Sequence, residues 1–192
     1  PKAFTPQQYF KTHSDVAPEL IARSHEMLAK GYAKLTGFEC KDKGYEWFGE
    51  SPGHEALSAY GLMEFSEMSR VFDVDSAMIQ RTRQWLLDSR DGQGGFKRER
   101  RALHTWIEDA DCSNAYITWA LLHSGEPAAG LQPEIDKLIA SGKKSSNAYV
   151  TALSALVAFA AGRAEEGRML GARLAEKQTP AGYVDGSTTS IV

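Results

Sequence analysis

The first candidate for chemistry in this 192-residue sequence is a serine in a glycine-rich turn. Residues 49–53 read Gly-Glu-Ser-Pro-Gly, the G-x-S-x-G spacing that exposes a nucleophilic serine between a strand and a helix in hydrolases. The oxyanion hole of such a site uses the backbone N–H of the residue after the serine, and Pro52 has none. The segment is therefore interpreted as a turn before a helix, and Ser51 is not predicted to be a nucleophile.

Histidine, acidic and cysteine side chains raise the question of a metal site. His25-Glu26 and His54-Glu55 each begin an H-E-x-x-H zinc motif, but Ala29 and Ser58 occupy the second histidine positions. Side chains from separate helices could hold a metal instead, namely Asp109, Asp111, Cys112 and His123. The alternative, which we favour, is that Asp109 and Asp111 form the acidic start of a helix. No metal and no cofactor is predicted.

The cysteines, glycines and aromatic residues allow further interpretations. Cys40 and Cys112 make no C-x-x-C pair and could form one disulfide or none. Gly92, Gly94 and Gly95 follow a helical pattern, whereas phosphate-binding loops follow a strand, so they predict a turn. Several aromatic residues could line a lipid or terpene pocket, although aromatic residues at helical spacing more often form the core. These are Tyr45, Trp47, Phe48, Trp85, Trp106 and Trp119.

Composition places the chain in one globular domain, for which we take residues 1–192: it is 42% hydrophobic and 24% charged, with a net charge of −3. The mildly acidic balance argues against a nucleic-acid partner, and the basic run at residues 97–101 is interpreted as a solvated loop. Every apolar run is shorter than the ~18 residues that cross a bilayer, so no membrane contact is expected of this domain. The chain begins at Pro1 rather than Met, which leads us to expect a fragment of a larger multidomain protein.

Helical spacing of apolar residues recurs along the chain and predicts an all-α fold. The predicted helices cover residues 18–35, 55–68, 76–90, 114–122, 133–140, 148–161 and 164–177. Those at 55–68, 114–122 and 148–161 are apolar on nearly every side and need cover all round, whereas the others are amphipathic. Asp75 is predicted to cap the helix that follows it, and Gly162 to end the helix before it. The economical arrangement is an inner ring of helices wrapped by an outer ring.

Internal repetition supports this ring. SNAYIT at residues 113–118 recurs as SNAYVT at 146–151, with a weaker copy, GHEALS, at 53–58. These copies open the three apolar helices, while two amphipathic helices end in glycine-aromatic turns at 91–96 and 178–183. About seven helices make three and a half hairpins, so we expect an incomplete ring with hydrophobic surface, or self-association, at its exposed ends.

Several of these segments resemble the thioester domain of the α2-macroglobulin family, in particular its bacterial branch. In chain order they are GYEWFG at 44–49, GHEALSAYGL at 53–62, VD at 74–75 leading into RQWLL at 83–87, DGQGGF at 91–96 and NAYITWALL at 114–122. The resemblance implies an α/α toroid of alternating inner and outer helices. It also implies a non-enzymatic defence role, because these large secreted or periplasmic proteins trap proteases, or tag surfaces, through an internal Cys–Gln thioester that a target nucleophile attacks.

The thioester motif of that family, Cys-x-Glu-Gln, does not occur in this sequence. The residue three positions after Cys40 is Lys43, and the residue three positions after Cys112 is Ala115. We therefore expect the thioester to lie outside this chain. The resemblance also implies a role for His104, eight residues after Phe96, where complement-type members have a histidine that attacks the thioester. The alternative is a loop histidine beside the basic run.

The predicted function is thus a part of an α2-macroglobulin-like protease inhibitor, located in the periplasm or outside the cell. Its predicted partners are target proteases and the other domains of the parent protein. One alternative is an α/α-toroid enzyme of the terpenoid-cyclase or prenyltransferase kind, which has similar glycine-aromatic turns, although residues 73–76 lack the full Asp-x-Asp-Asp motif of cyclases. The other alternative is a helical interaction scaffold.

Overall fold

The computed structural model describes residues 9–10, 13, 17–98, 110–180 and 182–184. Within these ranges the chain forms α-helices joined by turns, together with one short 3₁₀ helix, Ala128–Leu131, and no β-strand longer than an isolated bridge. The all-α prediction is therefore confirmed. The seven described α-helices are α1 (Pro18–Thr36), α2 (Glu55–Met68), α3 (Ser76–Asp88), α4 (Ala110–His123), α5 (Gln132–Lys144), α6 (Ala148–Ala160) and α7 (Ala164–Ala175).

Three helices, α2, α4 and α6, form an inner layer. They pack side by side, α2 against α4 and α4 against α6. Glu67 of α2 contacts His123 of α4, and Tyr60 of α2 lies near Tyr116 of α4. The two residues of each pair are 56 positions apart, so α2 and α4 run parallel. Their sequences explain the position, because a helix that is apolar all round is stable only when neighbours cover it.

The amphipathic helices lie outside this layer. α3 buries Met78, Thr82 and Leu86. α5 buries a stripe of Ile135, Leu138 and Ile139, and α7 buries Gly167 and Leu170. α1 has no fully buried residue and packs through Tyr32 and Leu35 onto a small cluster formed by Tyr45, Phe65, Val74 and Met78. Inner and outer helices thus alternate, which is the predicted α/α-toroid arrangement.

The helix ends show which local signals determine the boundaries. Asp75 caps α3 by accepting a hydrogen bond from the Ala77 amide at 2.9 Å, and Gly162 follows α6 with a φ of 76°, both as predicted. Asn147 caps α6 in the same way as Asp75, with a bond from the Tyr149 amide at 2.9 Å. The predicted start of α4 at Asn114 is wrong, because Ala110, Asp111 and Cys112 add a turn before it. α5 also extends further than predicted, to Lys144, while α3 and α7 end two residues early.

None of the described helices has both the length and the hydropathy that a membrane-spanning helix needs. The large core cluster lies between α2, α3, α4, α5 and α6, and includes Leu62, Leu86, Leu121, Ile135 and Val157. Both cysteines are buried thiols, Cys40 in the turn after α1 and Cys112 in the first turn of α4.

Candidate functional site

The end of the molecule where the inner helices begin is organised by a recurring turn. After α1, α3 and α7 the chain makes an isolated antiparallel bridge between residues six apart: Glu39 with Tyr45, Arg90 with Phe96, and Gln178 with Val184. The second residue of each turn donates its amide to a carbonyl four positions later, with N–O distances of 2.8, 2.9 and 2.7 Å. Two of these turns are the predicted glycine-aromatic turns, and the turn after α1 is a third copy.

The turns share one position with a left-handed backbone. Gly94 and Gly182 occupy it in two turns with φ values of 76° and 92°, as expected for glycine. In the turn after α1 the same position is Lys43, with a φ of 76°. A lysine in this conformation is unusual and persists only where the surrounding contacts hold the turn. Contacts made by the neighbouring residue Asp42 supply that support.

The carboxylate of Asp42 gathers three hydrogen bonds from separate parts of the chain. Ser51 Oγ donates to Oδ1 at 2.9 Å, while the Gly53 amide and Trp85 Nε1 donate to Oδ2 at 3.1 and 3.3 Å. Burial raises the pKa of this carboxyl, but the hydrogen bonds from Gly53, Ser51 and Trp85 outweigh that effect, and the net pKa lies below its ordinary value. Asp42 therefore ties the turn after α1 to the start of α2 and to α3.

Two glycines and a tryptophan complete this junction. A Cβ atom added to Gly44 would lie 2.8 Å from the Trp85 ring and 2.9 Å from the Gly53 Cα. The backbone of residues 44 and 53 therefore meets at a distance that only glycine permits, under the ring of Trp85. Tyr45 then donates its amide to Ser58 Oγ at 2.8 Å, which joins the turn to α2.

The segment between these anchors presents two exposed aromatic side chains. Trp47 is 49% exposed and Phe48 is 75% exposed. Their backbone is nevertheless held, because the Phe48 amide donates to Glu46 Oε2 at 2.9 Å and Gly49, with a φ of 72°, packs against the carbonyl of Gly37. The loop thus holds a large apolar pair exposed to solvent on a backbone that local contacts fix.

An ion-pair network fastens the same turn to α3. Arg81 binds Glu39 in a two-point arrangement, with Nε–Oε1 and Nη2–Oε2 distances of 2.6 and 2.9 Å, and also reaches Asp75 Oδ2 at 3.2 Å. The hydrogen bonds from Arg81 lower the pKa of Glu39 despite its partial burial. The Arg81–Glu39 bonds join residues 42 positions apart, so no sequence pattern predicted them.

The nucleophile and metal patterns of the sequence do not assemble into sites in the described residues. The Ser51 hydroxyl donates a hydrogen bond to Asp42, and no strand precedes Ser51 within the described ranges. Both observations agree with the interpretation of this segment as a turn. Asp111 and His123 lie at opposite ends of α4, about 18 Å apart at 1.5 Å per residue. Asp111 accepts a hydrogen bond from Ser141, and His123 pairs with Glu67. Among the described residues, no three acidic, histidine or cysteine side chains are grouped closely enough to hold a metal ion.

The aromatic residues that could have lined a lipid or terpene pocket do not gather around one cavity in the described part of the chain. Tyr45 is buried in the small cluster, Trp47 and Phe48 face outward, and Trp85 covers the glycine contact. Trp119 lies edge-on to Tyr116 on α4, with ring centroids 6.0 Å apart. Trp106 lies outside the described residues, as do Asp109 and His104. In the sequence, the last described residues before His104 are Lys97 and Arg98, and the first described residue after it is Ala110, where α4 begins.

Comparison with known proteins assigns this architecture to a family. A family model for the A-macroglobulin TED domain, the thioester domain, matches residues 2–182. The chain belongs to this family. The TED domain fold is an α/α toroid, in agreement with the alternating layers of α1 to α7.

One curated relative of this TED domain is mouse alpha-2-macroglobulin-like protein 1. The two sequences are 23% identical over 176 residues, which cover 84% of this chain and 12% of the relative. The chain therefore spans about an eighth of the length of the relative that it matches. The α2-macroglobulin resemblance noted in the sequence is confirmed, and it gives the recurring turns and the Asp42 junction a functional context: they shape one end of a TED domain.

Proposed function

We propose that this TED domain serves a larger α2-macroglobulin-like protein that captures target proteases covalently, and that it does so without being an enzyme. The observation that carries the proposal is the family match over residues 2–182, in a chain with no Cys-x-Glu-Gln sequence. Neither Cys40 nor Cys112 has a glutamine three positions later, so in this proposal the reactive Cys–Gln thioester is formed by residues outside these 192.

The capture chemistry is an acyl transfer. A nucleophile of the target attacks the thioester carbonyl, the carbon–sulfur bond breaks, and the cysteine leaves as a thiolate that takes up a proton. An amine nucleophile gives an amide and a hydroxyl gives an ester. The thioester must be shielded from water until the target arrives, which requires close packing of the TED domain against other domains of the parent protein.

His104 is proposed to direct this transfer toward hydroxyl groups. A neutral imidazole, with an ordinary pKa of about 6.5, attacks the thioester first and forms an acyl-imidazole as the thiolate leaves. A target hydroxyl then displaces the imidazole and forms the ester. The support is the position of His104, eight residues after Phe96, which belongs to the recurring turn at the end where the inner helices begin.

The described residues at this end supply the rigid surface that the proposal needs. Asp42, Gly44, Gly53 and Trp85 fix the turn after α1, so the exposed Trp47 and Phe48 keep one position. We assign this aromatic pair to contact with a neighbouring domain of the parent protein, because exposed side chains of this size on a fixed loop are typical of an interface. Proteins of this family are secreted, and we place this one outside the cell or in the periplasm.

A comparison of nucleophiles tests the role of His104 in the parent protein. We expect the wild type to incorporate glycerol efficiently, and His104→Ala to lose glycerol incorporation while retaining methylamine incorporation. The matched control is His25→Ala, which removes an exposed imidazole on α1. An unchanged preference in His104→Ala would show that this histidine is only a loop residue, and the absence of any incorporation in the wild type would refute the thioester itself.

A further inference from the structure

Four cationic residues lie beside the turn between α5 and α6. Lys143 and Lys144 end α5, Arg173 lies in the last turn of α7, and Lys177 follows α7. Arg173 Nη2 donates to the Ser145 carbonyl at 2.9 Å, and Lys177 Nζ donates to the Ser146 carbonyl at 2.6 Å. We call Lys143, Lys144, Arg173 and Lys177 the α5–α7 basic cluster.

The described residues give this cluster no close ion pair. A carboxylate within its electrostatic reach, Glu166, is paired with Arg163, and the pKa of Glu166 is lowered chiefly by Arg163 and to a smaller extent by Lys143. None of its four side chains forms an ion pair with a described carboxylate, and α6, which begins beside the cluster, has no acidic residue in its first turn. The opposite end of α7 differs: Arg163 pairs there with Asp136 and Glu166, each at 2.7 Å, and Arg168 pairs with Glu165 at 3.1 Å. The chain as a whole has a net charge of −3, so the cluster is a local departure from an acidic molecule.

The direction of the outer helices accounts for the cluster. α5 and α7 both carry acidic residues in the first turn and basic residues in the last turn, the arrangement that the helix dipole favours. α1 has the same order, with Glu19 first and Lys34 last. Both α5 and α7 end where α6 begins, so the basic residues of their last turns lie on one surface. This surface belongs to the end of the domain where the inner helices begin.

We propose that the α5–α7 basic cluster binds an acidic protein surface and so favours targets that carry one. This inference rests on the proposed function, in which a protein target approaches this end of the domain. Three of the four cations are lysines, point charges suited to scattered carboxylates, while the single guanidinium already donates to the Ser145 carbonyl. Clustered charge of one sign raises the association rate of partners with the opposite sign, in a manner that salt weakens.

Binding of fluorescent poly-L-glutamate to the 192-residue chain tests the proposal without a thioester. We expect binding at low ionic strength that weakens steeply on addition of salt, and a loss of at least about tenfold in affinity for Lys143→Glu/Lys144→Glu. The matched control, Lys30→Glu/Lys34→Glu, makes the same change in net charge at two exposed side chains of α1, which packs on the small cluster. At an ionic strength of about 0.1 M its affinity is expected to change less than threefold or so, since exposed charges beyond a Debye length of about 10 Å are screened.

Each other outcome counts against the inference. An absence of salt-sensitive binding, or an equal loss in both double variants, would show that the cluster is not a binding surface. Binding of heparin without binding of poly-L-glutamate would identify a sulfated glycan as the partner and overturn the assignment to a protein. Because the assay requires no acyl transfer, it is independent of the capture reaction: failure of capture in the parent protein would overturn the proposed function and leave the measured binding as it stands.

Discussion

Gly44 and Gly53 meet backbone to backbone, so closely that a Cβ atom on Gly53 would lie 2.6 Å from the Gly44 Cα. Trp85 covers the contact, with ring carbons 2.8 Å from the Cβ position of Gly44 and 3.1 Å from that of Gly53. The contact fixes the loop that ends α1 to the start of α2 and to α3. The contact therefore holds in place the loop that carries the exposed Trp47 and Phe48.

Gly53→Ala is expected to destabilise the domain by about 1–3 kcal/mol, because the new methyl group meets backbone that cannot move aside cheaply. Gly31→Ala is the matched control, since no atom lies within 4 Å of its Cβ position in α1. That helical substitution is expected to stabilise the domain by about 0.5–1 kcal/mol. Urea unfolding of both variants measures the difference. A Gly53→Ala protein as stable as the wild type would contradict the close contact.

Glu39→Gln is expected to lower stability at neutral pH by about 1.5–3 kcal/mol, the range for hydrogen bonds to a charged group. The pKa of Glu39 in the folded protein lies below its ordinary value, chiefly because of the hydrogen bonds from Arg81. The stability that this carboxylate contributes is therefore present above about pH 4.3, the ordinary value for Glu, and is lost as the pH falls through the folded pKa. Unfolding free energies measured from pH 7 to pH 3 should show the two proteins converging in acid.

Glu26→Gln provides the control for Glu39→Gln. Glu26 pairs with Lys30 on the exposed face of α1, with both side chains more than 60% exposed. Such a pair contributes about 0.3–0.5 kcal/mol at most, and its removal should leave the acid dependence unchanged. Equal effects of the two substitutions would refute the special role of the Glu39–Arg81 pair.

Gly167→Ala and Gly171→Ala, one turn apart on α7, should have opposite effects. A Cβ on Gly167 would lie 2.7 Å from the Phe159 ring, whereas no atom lies within 4 Å of the Cβ position of Gly171. We expect Gly167→Ala to cost about 1–3 kcal/mol through displacement of Phe159, and Gly171→Ala to be neutral or stabilising. Thermal unfolding midpoints decide the matter, and two variants with indistinguishable midpoints would mean that α6 and α7 do not pack through Gly167.

The inner layer leaves an aromatic surface open to solvent. Tyr60 and Leu156 are exposed, and Tyr116 lies between Tyr60 and Tyr149 with its pKa raised to about 12 by burial and by neighbouring Tyr60, Glu64 and Tyr149. We expect the 192-residue chain to self-associate or to bind a hydrophobic dye at this surface, and Tyr60→Glu/Leu156→Glu to weaken either property. Light scattering at several protein concentrations measures the self-association, and dye fluorescence measures the dye binding. A chain that stays monomeric at every concentration and binds no dye would contradict the expectation.

Local signals in the sequence were sufficient for much of the fold. α2 begins and ends where its apolar pattern does, and Asp75 and Gly162 mark helix ends because capping and left-handed backbone are properties of single residues. The alternation of wholly apolar and amphipathic helices was sufficient to predict the two layers. These features depend on residues close together in the chain.

Features that depend on distant residues were not predictable in this way. The start of α4 was misplaced because the repeat copy at 113–118 was expected to open the helix, whereas Ala110 to Cys112 form a further turn whose Asp111 contacts Ser141 of α5. The third copy of the recurring turn was missed since Lys43 stands where the other copies have glycine. The donors to Asp42 lie 9, 11 and 43 residues away, a spacing that carries no periodic signal.

The central claim, covalent capture by a thioester outside this chain, is tested most directly by treating the native parent protein with methylamine. The account predicts that each molecule gains one methylamine and that one new thiol becomes titratable, since an amine that opens a thioester releases its cysteine. Intact-mass spectrometry and thiol titration measure both products. A parent protein that gains neither methylamine nor a new thiol would contradict the account and favour a helical scaffold in its place.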